Sequence, residues 1–269
     1  MTTTITILGC GSSAGVPRIG GDWGECDPAN PKNRRRRCSI LVRQRGPDGE
    51  TRVLVDTSPD LREQMLAAKI GWIDSVLYTH EHADHIHGID ELRTFYLIQR
   101  KKIPVWAADR CGTMLLGRFG YCFHKPDNSD YPPILSLNRI VAGEPVAITG
   151  AGGVLTALPF ELAHGTITAL GFRFGNTAYT PDVNAIPDAA IPALTGLDLW
   201  IVDALRRTPH PSHFSLAETL AWIARLKPAR AIITNMHIDL DHETLRCELP
   251  PGVEPAFDGM EIECDGQRH

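Results

Sequence analysis

The stretch Thr79-His80-Glu81-His82-Ala83-Asp84-His85-Ile86-His87-Gly88 follows Ser75-Val76-Leu77-Tyr78, a short apolar run that reads as a buried strand. His80, His82, Asp84 and His85 put three imidazoles and a carboxylate within six residues at the strand's exit. Alternate residues on extended backbone point the same way, so His80 and His82 can share one metal ion. Asp84 and His85 come where the chain must turn and can reach a second ion beside the first. A helical site would need histidines at i and i+4, as in H-E-x-x-H, and that pattern is absent. The bland alternative, a polar loop that happens to hold histidines, does not account for four ligand-type residues in this order.

The H-x-H-x-D-H motif resembles that of the metallo-β-lactamase-fold hydrolases, and the resemblance runs along nearly the whole chain. It implies a four-layer αββα sandwich, two mixed sheets flanked by helices, with two divalent metal ions at one edge. It also implies three ligands downstream: a histidine after a strand, a bridging aspartate and a last histidine near the C-terminus. His164 closes Leu158-Pro159-Phe160-Glu161-Leu162-Ala163, Asp182 closes Thr177-Ala178-Tyr179-Thr180-Pro181, and His237 closes Ala231-Ile232-Ile233-Thr234-Asn235-Met236. Each sits where an apolar run ends, which is where open α/β sheets place their chemistry. On this pattern His80, His82 and His164 hold one ion, Asp84, His85 and His237 the other, and Asp182 bridges them. Asp56, which ends the run from Thr51, is expected to support the metal loop from behind, and His87 is assigned a similar supporting place.

The 269 residues suit one large domain, 1–269, since no Pro/Gly/Ser-rich linker or charge block divides them. A 43% hydrophobic and 22% charged composition is that of an ordinary globular protein. With 27 basic and 32 acidic residues the net charge is −5, which gives no general attraction for nucleic acid or anionic membrane. Neither is expected as a partner. Met1-Thr2-Thr3-Thr4-Ile5-Thr6-Ile7 lacks the regions of a signal peptide, and no apolar run approaches the roughly 18 residues of a membrane span. A cytoplasmic location is expected. The seven cysteines include no C-x-x-C pair and read as reduced, mostly buried thiols.

Thr4 to Gly9 reads as a first strand running into Gly9-Cys10-Gly11-Ser12-Ser13-Ala14-Gly15-Val16-Pro17. The spacing is G-x-G-x-x-x-G, and Pro17 with Gly20-Gly21 denies a following helix, so a dinucleotide loop is excluded in favour of a tight turn. Gly24-Glu25-Cys26-Asp27-Pro28 and Asn33-Arg34-Arg35-Arg36-Arg37-Cys38-Ser39 follow. Together with the ending Phe257-Asp258-Gly259-Met260-Glu261-Ile262, these segments are similar to phosphodiesterases that open ribosyl 1,2-cyclic phosphates in the carbon–phosphorus lyase pathway. Family members with a structural zinc use several cysteines here and a second histidine after the last ligand. This chain has Gly24 and Ala29 around a lone Cys26, and Ile238-Asp239-Leu240 after His237, so no structural zinc is expected. The arginine run is either a solvated loop or a phosphate contact through Arg36 and Arg37, whose fork geometry suits a phosphate.

Ser39 to Arg43 and Thr51 to Asp56 flank Gly46-Pro47-Asp48-Gly49, a hairpin signal. Ser58 is expected to cap a helix that opens on Pro59 and runs to about Lys69. Helices are expected from Gly88 to about Lys101, from Asp109 to about Gly120 and from Leu216 to Leu226, with Ser215 capping the last. Residues 121–133 read as a surface connection or a lid over substrate, with His124 exposed. His213 occupies the position of a pocket histidine in the cyclic phosphodiesterases and is expected to contact phosphate or act as general acid, the bland alternative being a loop histidine bonded to backbone. His210 and His242 read as surface residues.

The implied reaction is hydrolysis of a small phosphodiester. Two ions lower the pKa of a bridging water and stabilise developing oxyanions; Asp84 orients the water and His213 protonates the leaving oxygen. An all N/O ligand set suits Zn2+ or Mn2+ alike. Competing readings on the same fold are a tRNA-processing nuclease, an iron-dependent sulfur dioxygenase and a cofactor-biosynthesis protein of the pyrroloquinoline quinone type. A β-lactamase is least supported. Homodimers are common among the relatives.

Overall fold

In a computed structural model, which describes residues 2–125, 127 and 130–264, the chain forms two seven-stranded sheets. The first contains β1 (Thr2–Gly9), β2 (Ser39–Gly46), β3 (Gly49–Val55), β4 (Ser75–Leu77), β5 (Ile103–Ala107), β6 (Leu135–Arg139) and the last strand, β14 (Glu261–Cys264). Its order is β14-β1-β2-β3-β4-β5-β6. Pairing is antiparallel from β14 to β3 and parallel from β3 to β6. The second contains β7 (Val146–Gly150), β8 (Gly153–His164), β9 (Ile167–Phe174), β10 (Thr177–Thr180), β11 (Leu199–Asp203), β12 (Arg230–Thr234) and β13 (Val253–Pro255). It too changes from antiparallel, β7 to β10, to parallel, β10 to β13.

The period of two along each strand decides the layering. Ile40 and Val42 on β2, with Val53 and Val55 on β3, face the second sheet and meet Leu155, Phe172, Tyr179 and Ile201. Leu41 and Leu54, the residues between, face outward into a separate cluster with Leu61 and Met65 of α1 (Leu61–Ala68), Leu92 and Phe95 of α3 (Leu92–Gln99), and Leu115 of α4 (Asp109–Phe123). On the far side, Ala178, Trp200 and Val202 pack against a 3-10 helix, Asp188–Leu194, and against Trp222 and Ile223 of α5 (Leu216–Leu226). The central strands are thus buried on both faces, each large side chain contributing about 1.5–3 kcal/mol. The result is the expected αββα sandwich of two mixed sheets flanked by helices.

Several local expectations need correction. Ser58 does not cap α1; Asp60 occupies the N-cap, while Ser58 Oγ accepts from Asp60 N at 3.2 Å and donates to Gln64 Oε1 at 3.0 Å. Gly88 to Lys101 is not one helix but a 3-10 turn, Ile89–Glu91, followed by α3. Helix α4 continues through Tyr121–Phe123, across a break at Phe119 (φ −128°, ψ 30°), so these residues are helix rather than connection. Pro126, Asn128 and Ser129 of the expected connection lie outside the described residues. His242 is not a surface residue: it opens α6 (His242–Glu248) and is buried. The hairpin and α5, capped by Ser215, match expectation.

Candidate metal centre

Both sheets present the C-terminal ends of their parallel strands to one edge. From the first come Asp56 after β3 and His80 after β4; from the second come Asp182 after β10, Asp203 closing β11 and Asn235 after β12. The H-x-H-x-D-H stretch leaves β4 extended, with His82 at φ −67°, ψ 152°, then turns into α2 (Ala83–Ile86). That turn lets four ligand-type side chains diverge from one short segment. Gly88 ends it, and its N–H donates to Thr57 O at 2.9 Å. A Cβ there would lie 2.0 Å from Ser58 O, so only glycine permits this approach of two backbones.

His80, His82, His164 and Asp182 bring one ligand atom each within 4.8 Å of one another. Asp182 holds the middle. Its Oδ2 lies 3.8 Å from His80 Nε2 and 3.5 Å from His164 Nε2, while Oδ1 lies 3.2 Å from His85 Nε2. Asp84 Oδ2 is 3.4 Å from the same His85 nitrogen. His213 Nε2 is 3.8 Å from Asp182 Oδ2. The Nε2 atoms of His80 and His85 are buried without a hydrogen-bond partner. Orphaned buried imidazole nitrogens are costly unless a cation takes their lone pairs, so the residues present fit a divalent metal.

Behind the cluster, backbone and carboxylate groups fix each ring. Asp56, fully buried at φ 66°, accepts from Thr79 N and Thr79 Oγ1 at 2.8 Å each and from His85 Nδ1 at 2.8 Å. His164 Nδ1 donates to Ser212 O at 2.6 Å, which leaves Nε2, 3.1 Å from His82 Nδ1, as the lone-pair nitrogen. His213 Nδ1 lies 2.9 Å from Asp203 Oδ2. Burial, reinforced by His85, holds His80 well below the ordinary histidine range. Burial would also lower His85, but Asp182, Asp84 and Asp56 outweigh it and raise it well above. For Asp182, burial pushes up and His85 pulls down further, leaving a carboxylate well below its usual range. Burial raises Asp203 to about 7 against the pull of His213, and Asp203 and Asp182 raise His213 to about 9 against burial.

Not every expected residue joins. His237 stands apart, its Nδ1 3.0 Å from Asp239 Oδ1 and its Nε2 against the Arg18 guanidinium. The residue of that segment that does meet the cluster is Asn235, two positions earlier. It is buried at φ 61°, with Nδ2 3.0 Å from Pro181 O, 3.2 Å from Asp203 Oδ1 and 3.4 Å from Asp182 Oδ1. His87 does not support a ligand ring; it is exposed and sits edge-on to Phe119, 5.6 Å between centroids. Arg36 Nε lies 2.9 Å from Asp258 Oδ2, and Arg37 Nε 2.8 Å from Asp60 Oδ2. These two guanidiniums line a notch of ≈ 550 Å³ beside Gly15 and Pro17, whereas the ligands line none of it. Cys26 packs with Val16 and Ile238, its Sγ 3.8 Å from the buried Arg35 guanidinium.

Two cavities open on ligands: one of ≈ 390 Å³ reaches His80 beside Arg139 and Thr168, and a larger one of ≈ 670 Å³ is lined by Glu81, His82, Ala83, His87, Arg110, Met114, Arg118 and Phe119. Arg110 pairs with Glu81, while Arg118 donates to Glu81 O at 2.9 Å and forms no ion pair among the described residues. Sequence reasoning missed Arg110, Arg118, Asp203 and Asn235. Asp203 carried a usable signal, since it ends an apolar run as Asp56 and Asp182 do; the two arginines carried none.

No helix among the described residues is long and apolar enough to cross a membrane. Residues 51–238 match the family model of the β-lactamase superfamily domain. An octanoyltransferase of Porphyromonas gingivalis is 32% identical over 264 residues, 96% of this chain and 51% of that protein, so the chain spans about half the length of that relative. A solved diphosphatase from the PhnP family is 37% identical with a TM-score of 0.87, covering 98% of both chains. Zn2+-bound PqqB from Methylobacterium extorquens shares the fold, with a TM-score of 0.73 at 18% identity over 97% of this chain and 100% of that one. The chain belongs to the β-lactamase superfamily, and its two mixed sheets flanked by helices are the metallo-β-lactamase fold.

Proposed function

We propose that the protein is a metal-dependent hydrolase that cleaves a small phosphodiester, ribosyl 1,2-cyclic phosphates being the leading class. The observation that carries this reading is the placement of Asp182 between His80, His164 and His85, with an arginine-bearing cavity beside His82. The donor set would hold two divalent cations, Zn2+ or Mn2+, which when bound supply an activated water and neutralise charge on the phosphoryl oxygens. His80, His82, His164, Asp84, His85 and Asp182 would hold those ions. Asp203 fixes the His213 ring so that Nε2 faces the site, where it donates a proton to the departing oxygen. Arg118 and Arg110, which line the same cavity, attract an anionic substrate, and Phe119 and Met114 offer an apolar wall for its organic part.

A phosphoanhydride is the second reading, favoured by the 37% identity with a diphosphatase. The test is hydrolysis of 5-phosphoribosyl 1,2-cyclic phosphate and of an organic diphosphate by chain loaded with Mn2+ or Zn2+, with Asp182→Ala alongside. Rapid opening of the cyclic phosphate, lost in the variant, supports the leading reading. Cleavage of the diphosphate alone moves the assignment to the second. Inactivity on both, with metal bound, overturns both and turns attention to cofactor biosynthesis.

A further inference from the structure

We propose that the centre is unequal, with one complete cation position and a second that is one protein donor short. The inference rests on the metal centre but not on the substrate. The first position has four donors, His80, His82, His164 and Asp182, all within 4.8 Å of one another. The second has Asp84, His85 and the other oxygen of Asp182.

The end of β12 is where a fourth donor for that second position would come from, and the chain offers two side chains there. His237 is turned away, held between Arg18 and Asp239. Asn235 is turned in but offers the wrong end. Its nitrogen faces Pro181 O at 3.0 Å and Asp203 Oδ1 at 3.2 Å. Both are acceptors, so rotating the amide would set oxygen against oxygen in a buried site; the orientation is fixed by its neighbours. The group that Asn235 presents to Asp182 Oδ1 is therefore an N–H donor, not a lone pair. His213 does not fill the gap, because its Nε2 faces Asp182 Oδ2, the oxygen shared with His80 and His164.

The two positions thus differ in donor number and in kind. Three imidazoles and a carboxylate suit Zn2+, whereas two carboxylates and one imidazole favour an ion that prefers oxygen, such as Mn2+. With a donor missing, the second cation binds at least tenfold more weakly than the first, exchanges with solvent, and leaves coordination positions for water or a substrate oxygen.

The test is equilibrium dialysis of the chelator-stripped full chain against Mn2+ or Zn2+, with bound metal quantified by mass spectrometry. The expected result is two binding steps separated by at least tenfold in free metal. Asn235→His supplies the missing imidazole and brings the steps together, while His237→Ala leaves both where they were. Should Asn235→His not fold by circular dichroism, Asp84→Asn serves instead and removes only the weaker step. Two equal steps in the unaltered chain overturn the proposal, as does loss of a step in His237→Ala. Turnover need not be measured, so failure here is separable from failure of the phosphodiesterase reading.

Discussion

His85 and His213 face the two oxygens of one carboxylate, that of Asp182, and each has its other ring nitrogen tied to a buried aspartate. Asp56 holds His85 Nδ1 at 2.8 Å and Asp203 holds His213 Nδ1 at 2.9 Å. The two pairs have the same wiring but come from different sheets, and they are given different work. His85 is enclosed with an orphaned Nε2, the situation of a ligand. His213 is partly open to solvent, the situation of a group that exchanges a proton.

Asp56→Asn removes the charge that makes His85 a strong donor. Metal affinity is expected to fall roughly 10–100-fold, by analogy with other carboxylate–histidine–metal arrangements. Dialysis against a buffered metal series measures it. Unchanged affinity would show that Asp56 serves the loop alone, through Thr79.

His213→Gln is expected to lower kcat by about 10²–10⁴-fold with bound metal unchanged, the range for loss of a general acid. Metal content and steady-state rates on one sample decide the matter. Loss of metal together with activity would make His213 a ligand and remove it as proton donor.

Arg118→Ala removes from the cavity a guanidinium that forms no ion pair among the described residues. A charge-assisted contact is worth about 1.5–3 kcal/mol, so kcat/KM for an anionic phosphodiester is expected to drop roughly 10–100-fold, mainly through KM. Arg36→Ala, at the separate notch, is expected to leave KM unchanged and to lower thermal stability through its lost pair with Asp258. The reverse pattern would relocate the substrate to the arginine run.

His242 supplies a pH dependence away from the metal centre. Burial, reinforced by Lys32 and Arg35 and opposed more weakly by Glu243 and Asp241, lowers its pKa to about 4. The unfolded chain therefore binds its proton more readily than the folded one. The sign follows: stability is full above the unfolded value near 6.5 and is lost as pH falls toward 4, by on the order of 2 kcal/mol. In His242→Leu the melting temperature is expected to fall less between pH 7 and pH 5 than in the unaltered chain. Equal slopes would place the acid sensitivity elsewhere.

Gly88→Ala places a methyl 2.0 Å from the backbone oxygen of Ser58, a clash that no rotamer relieves. A loss of roughly 2–3 kcal/mol in stability is expected, at the upper end for overpacking, with weakened metal binding because the same contact seats α2. Chemical denaturation with and without metal measures both.

The sequence by itself determined what local pattern and composition can carry. H-x-H-x-D-H after an apolar run marks a metal site through strand alternation, and Gly46-Pro47-Asp48-Gly49 between two strand-like runs marks a hairpin. Runs ending in His164 and Asp182 were legible for the same reason: a strand's end is where a polar residue escapes the core. Tertiary structure alone decided which side chain of Asn235-Met236-His237 turns inward, because that depends on a left-handed turn at Asn235 and on Arg18, 219 residues away from His237 in sequence. It likewise decided that Arg36 and Arg37 are held by Asp258 and Asp60, while Arg110 and Arg118, unremarkable on a helix in sequence, face the cavity beside His82. Residue type states what a group can do; only the packing of distant segments fixes what stands opposite it.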